Sequence, residues 1–88
     1  MLKPIHLRQF EKEVVKAKTR GKDIEKLKEI MKLLTIKKPL PAKNRNHKLK
    51  GDYVGYWECH IEPDWLLVYK KTATEIIFAR TGSHSDLF

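Results

Sequence analysis

The sequence predicts an α+β domain: a small antiparallel sheet built in the order β-α-α-β-β-β, with a two-helix hairpin packed on one face. Three observations carry this expectation. Apolar residues recur at helical spacing in two stretches before Pro39. From Tyr53 onward the period changes to two, in runs rich in Val, Ile, Leu, Trp and Tyr. The breaks between these later runs are short, which suits antiparallel hairpins and not crossovers.

Residues 2–7 (Leu-Lys-Pro-Ile-His-Leu) read as a short strand, confined to an edge or a strand start because Pro4 cannot donate to a ladder. Phe10, Val14 and Ala17, with Val15 beside them, mark a helix over about Arg8–Arg20 that Gly21 stops. No Ser, Thr, Asp or Asn precedes it to cap its start. Asp23 caps a second helix, whose apolar stripe is Ile24, Leu27, Ile30 or Met31, and Leu34. Pro39 and Pro41 end that helix and open a basic loop running to Gly51. Tyr53–Ile61 reads as a strand. Tyr53, Trp57, Cys59 and Ile61 face the core, while Val54, Tyr56, Glu58 and His60 face the other way. Pro63-Asp64 sets a turn. Trp65–Lys70 and Glu75–Thr81 are the last two strands, and a tail runs from Gly82 to Phe88.

Eighty-eight residues make one domain with a small core, so an open cleft or sheet face is expected in place of a deep cofactor pocket. The hydrophobic fraction of 41% suits a folded globule. No run approaches the ~18 apolar residues of a membrane helix, and no signal-peptide core opens the chain. Cys59 is the only cysteine, which excludes an internal disulfide and points to the reducing cytoplasm. The formal net charge of +8 is unevenly spread. Residues 1–50 carry 16 Lys/Arg against 5 Asp/Glu, and residues 51–88 carry 3 against 6. Lys32, Lys37, Lys38, Lys43, Arg45, Lys48 and Lys50 follow one another without an intervening acid. Such a field favours a polyanion, either nucleic acid or an acidic protein.

Five residues stand out for chemistry: His47 in the basic loop, His60 on the polar strand face, Asp64 at the turn, Arg80 in the last strand and His84 in the tail. Neighbouring strands can bring their side chains to one face, and the tail can fold over it. Two imidazoles, a carboxylate and a guanidinium suit RNA cleavage. One base takes the proton of a ribose 2′-OH, the oxygen attacks phosphorus, and an acid protonates the departing 5′ oxygen. The guanidinium steadies the charge on phosphorus. This route needs no cofactor, because the nucleophile belongs to the substrate. Three histidines and an aspartate also suggest a zinc site, but the chain has neither H-E-x-x-H nor CxxC, and its net charge repels cations. Cys59 alternates onto the apolar face as a small core hydrophobe. His6 has a structural role, and Glu62 is a solvated turn residue. Trp65 and Phe88 are the aromatics placed for base stacking.

The blocks N-H-K-L-K-G (46–51), E-C-H-I-E-P-D-W-L-L-V-Y (58–69) and A-R-T-G-S-H-S-D-L-F (79–88) together resemble the YafQ branch of the RelE/ParE superfamily of bacterial toxins, over the whole chain. The resemblance implies a RelE-like fold, ribosome-dependent endonucleolytic cleavage of mRNA in the A site, and silencing by a cognate acidic antitoxin. The family's histidines fall on His47, His60 and His84, its aspartate and tryptophan on Asp64 and Trp65, its arginine on Arg80 and its terminal aromatic on Phe88. Glu58 stands where the close pattern has the shorter aspartate. On this basis His84 is the general acid and His47 or His60 the base. Asp64 is an alternative base or an orienting carboxylate, and Arg80 stabilises phosphorus. Trp65, Phe88, Lys43, Arg45, Lys48 and Lys50 contact RNA, the basic residues on phosphates of the 16S ribosomal RNA. The competing expectations are a ParE-like inhibitor of gyrase without nuclease activity, or a catalytically inactive module that binds RNA or the ribosome. The three histidines favour the nuclease branch.

Overall fold

A computed structural model describes residues 1–88. Strand β1 (Lys3–His6) leads into helix α1 (Arg8–Thr19) and helix α2 (Ile24–Thr35). As the sequence implies, no side chain caps the start of α1 at Leu7. Asp23 caps α2 by accepting the Glu25 N–H at 3.1 Å. A short strand β2 (His47–Lys48) follows, then β3 (Trp57–Glu62), β4 (Trp65–Lys71), β5 (Glu75–Gly82) and a single helical turn α3 (His84–Leu87). No helix is long and apolar enough to cross a membrane.

The sheet order is β1-β5-β4-β3-β2. The three long strands form antiparallel hairpins as expected, but β1 runs parallel to β5, so the sheet is mixed and not antiparallel throughout. A whole helical hairpin separates β1 from the strands that follow. No tight turn therefore forces it into antiparallel pairing, and the edge position accommodates Pro4. The third strand also starts later than alternation suggests. Gly51–Tyr53 coils into a 3-10 turn and Gly55 adopts φ 92°, open to glycine at little cost. Tyr53 consequently leaves the face assigned to it.

The two sheet faces are buried against different things. On one, Phe10, Ala17, Leu27, Ile30 and Leu34 of the helices cover Cys59, Trp65, Leu67, Tyr69, Ile76 and Phe78. On the other, Leu66, Val68, Ala79 and Leu87 make a smaller cluster, flanked by Leu49, Tyr53 and Tyr56. The central strand β4 is thus apolar on both sides, and Trp65 through Tyr69 are at most 1% exposed. Burial pushes the Cys59 thiol up to about 12, which leaves it a core hydrophobe and not a nucleophile. The helices cover most of one face, and the other is left largely open.

Candidate active site on the open sheet face

Period-two alternation in β3 sends Cys59 inward and sets Glu58 and His60 on the face away from the helices. His47 pairs directly across from Glu58. The basic loop is stitched to the sheet by asparagines. Asn44 Nδ2 donates to the His60 carbonyl at 2.7 Å, and the Tyr69 hydroxyl donates to Asn46 Oδ1 at 2.5 Å. Arg45 between them takes a left-handed conformation (φ 46°), which turns the chain into β2.

His84 arrives from α3. Ser83 caps that turn through a capping box with Asp86, and Asp86 also pairs with Arg20 of the α1–α2 connection at 2.8 Å. The Arg20 guanidinium and the Ser83 N–H hold the Asp86 carboxyl far below the usual range. Gly82 permits this closeness, since a Cβ there would lie 3.0 Å from that of Asp86.

The result is a row of acid–base groups. Glu58, only 5% exposed, places Oε1 3.3 Å from His60 Nε2 and 3.6 Å from His47 Nε2. His47 Nδ1 donates to the Arg45 carbonyl at 2.6 Å. The His60 ring meets the His84 ring edge-on, with centroids 5.7 Å apart. Asp64 Oδ1 accepts both the His84 backbone N–H at 2.9 Å and His84 Nδ1 at 2.6 Å. These two bonds, the backbone one foremost, hold the Asp64 carboxyl below its ordinary value. With Nδ1 occupied, Nε2 is the nitrogen His84 has free.

Arg80 stands at the rim. Strand β1 covers β5 only as far as Phe78, so beyond it the β5 edge is open. There Glu13 of α1 grips the guanidinium, with Nε at 2.9 and 3.1 Å and Nη2 at 2.7 Å, and the same carboxylate accepts the Thr81 N–H at 3.2 Å. The pairing pushes the Arg80 pKa up, with a smaller contribution from Tyr53. Phe88 is 58% exposed and packs edge-on against Tyr53 at 5.3 Å. Lys43, Arg45 and Lys50 are exposed on the loop.

Two expected RNA contacts are placed elsewhere. Trp65 is 1% exposed in the helix-side core, and its indole N–H is spent on Thr81 Oγ1 at 3.0 Å. It offers no ring face to a base, because the first position of β4 points toward the helices. Lys48 pairs with Trp57, and its Nζ lies 5.5 Å from that ring, on the helix side of the sheet. Glu62 is not merely solvated. It pairs with Lys22 at 2.9 Å and Lys26 at 3.0 Å, which lower its pKa and tie the end of β3 to the start of α2.

Sequence reasoning missed the centrality of Glu58 and the existence of the Glu13 grip. Both left a signal. Glu58 shares the His60 face two residues away, and Glu13 is a charged residue inside the α1 stripe of Phe10, Val14 and Ala17, buried to 9% exposure. Asn44 left none. One donor atom each from Glu58, His60 and His84 lies within 4.8 Å of the others, a set able to hold a metal ion and one that the spacing along the chain conceals.

The family model for the bacterial toxin of the type II toxin-antitoxin system, YafQ, matches residues 2–88. The mRNA interferase toxin YafQ of Escherichia coli strain K12 is 47% identical over 81 residues, 91% of this chain and 88% of its own. Among solved structures, the E. coli DinJ–YafQ toxin–antitoxin complex contains a chain with TM-score 0.92 and 43% identity, covering 99% of this chain and 97% of that one. A copper-bound mutant toxin from Helicobacter pylori matches with TM-score 0.95 and 41% identity over 100% of both chains. The match over nearly the full length, on a sheet that brings His47, Glu58, His60 and His84 together, means that this chain belongs to the YafQ family of type II toxin–antitoxin toxins.

Proposed function

We propose that this toxin is an endoribonuclease, an mRNA interferase that cleaves messenger RNA in the ribosomal A site by general acid–base catalysis. The observation that carries the reading is the imidazole pair His60 and His84, 5.7 Å apart, each backed by its own carboxylate. The two rings touch edge-on on the open face, where one phosphodiester can lie across the pair. His84, with Nδ1 donating to Asp64, presents Nε2 as the acid for the departing 5′ oxygen. Asp64 is therefore an orienting carboxylate and not the base. Glu58 Oε1, 3.3 Å from His60 Nε2, stands where it can stabilise the imidazolium formed when His60 takes the 2′-OH proton. His47 lies next in the row, at 6.4 Å from His60, where it faces the neighbouring phosphate. Arg80 presents its outward N–H groups to the pentavalent phosphorus, and Phe88 stacks on a base. Lys43, Arg45 and Lys50 hold ribosomal RNA phosphates. An acidic antitoxin, in the role DinJ has in the E. coli complex, covers the basic surface.

The test is RNA end mapping in a translating extract, with and without ribosomes. New 5′ ends in codon register on translated messages are expected from the wild type. His84→Ala should lower cleavage by about 10²–10⁴-fold while remaining folded. Wild-type cleavage by that variant removes His84 from the mechanism. Intact RNA alongside DNA breaks would instead place the chain with gyrase inhibitors.

A second reading concerns the same donors. Glu58, His60 and His84 fit a borderline-soft divalent ion such as copper, and such an ion would occupy both imidazoles the acid–base route uses. Cleavage that persists in excess EDTA, and falls on adding copper, is the expected result. Loss of cleavage in EDTA would overturn the metal-independent route.

A further inference from the structure

Glu13 is a buried carboxylate on the first helix, on the far side of the sheet edge from the histidines, and the acid–base scheme gives it no task. From its position we infer that Glu13 is a positioning residue for cleavage, acting through Arg80. The inference rests on the reading that Arg80 faces the reacting phosphate.

The geometry is specific. Arg80 pairs in register with Val68, whose side chain belongs to the open-face cluster. From that side the guanidinium bends over the unpaired end of β5 to meet Glu13. The carboxylate takes Nε–H and one Nη2–H in a forked pair. Of the three N–H hydrogens the carboxylate leaves, Tyr53 competes for one and the others remain for a phosphate. A long arginine side chain is otherwise free to sample many rotamers, and holding it at its back edge aims the outward N–H groups without blocking them. The same carboxylate accepts the Thr81 N–H, so Arg80 and the backbone beside it are fixed by one group. Glu13 is itself 9% exposed and rooted on α1 between Phe10 and Ala17, both buried in the main core. The helix hairpin, which has no contact with substrate in this scheme, thereby sets the aim of a rim arginine.

A carboxylate that only stitches α1 to the edge of β5 would show the same contacts, so the experiment separates the two. Glu13→Gln keeps an oxygen for the Thr81 N–H and removes the charged fork. Cleavage of mRNA on purified ribosomal complexes is followed in single turnover, with toxin in excess and the concentration for half-maximal rate recorded. Aiming predicts a maximal rate lowered about tenfold to a hundredfold. It also predicts a half-maximal concentration unchanged or lower, since a negative charge has been taken from a protein that binds a polyanion. In the Arg80→Ala background, Glu13→Gln should cause no further loss. A wild-type maximal rate for Glu13→Gln overturns the inference, and so does an equal loss in the two backgrounds. Full activity of Arg80→Ala alone would be the separate failure of Arg80's assigned role, and would take this inference with it.

Discussion

At His84 the decisive contacts converge on one oxygen of Asp64, which accepts the backbone N–H and the ring Nδ1 of the same residue. That doubled contact fixes the ring and its tautomer together, which one hydrogen bond alone would not do. Two residues on, Asp86 fixes the turn carrying the ring by accepting from Arg20 and the Ser83 backbone. The Asp64 and Asp86 carboxyls both bind protons more weakly in the folded chain than in the unfolded one. The unfolded state therefore takes up protons first as pH falls. The contribution to stability is complete above the ordinary carboxylate value of ~3.9 and is lost as pH drops through the lowered folded values. Thermal melts between pH 6 and pH 2 should show this directly. Asp86→Asn should melt lower than wild type at pH 6, with a shallower decline toward acid, and the gap between the two curves should narrow as pH falls below ~3.9.

Strand β4 shows how an element can overrule the residue type it carries. A tryptophan beside a histidine-rich corner invites a stacking role, yet the first position of β4 faces the helices, and Trp65 becomes core. Trp65→Phe should leave a small void in the helix-side core and lose the N–H to Thr81 Oγ1. Its expected cost is about 1–3 kcal/mol, at roughly 4–8 °C of Tm per kcal/mol in a domain of this size, with mRNA cleavage at the wild-type rate. A large loss of cleavage without a change in Tm would return Trp65 to the RNA surface. Helix α3 is the opposite case. One turn has little helical stability of its own, and its capping box, the Arg20–Asp86 pair and the burial of Leu87 supply what its length does not.

For the molecule as a whole, the helices cover one face and leave the other to a shallow row of acid–base groups, flanked by a loop that exposes Lys43, Arg45 and Lys50. Association with ribosomes should weaken steeply with salt, because each neutralised phosphate releases condensed counterions. Replacing Lys43, Arg45 and Lys50 together by Ala should reduce the slope of log affinity against log salt by about 2–3 units, at roughly 0.7–0.9 per contact. An unchanged slope in a ribosome-binding titration would take the loop out of the interface. The same architecture accounts for what was legible. Both helices, three long strands, the Asp23 cap and the inward turn of Cys59 follow from local periodicity, which the chain states outright. The parallel pairing of β1, the β2 pairing that brings His47 to Glu58, and the Glu13–Arg80 pair join residues far apart along the chain, where periodicity carries no information.

The amino-acid order alone determined an α+β toxin-like domain with its charge skewed to the first half, and it determined that His60 shares a strand face with Glu58 while Cys59 turns inward. It also confined His84 to a tail just after a strand. Only the tertiary structure decided that Asp64 holds His84, that Trp65 is core, that Lys48 lies on the helix side, and that Glu13 reaches Arg80. The reason is physical. Alternation and helical period fix which way a side chain leaves its own backbone. Which groups it then meets depends on strand order, register and where a sheet edge is left open.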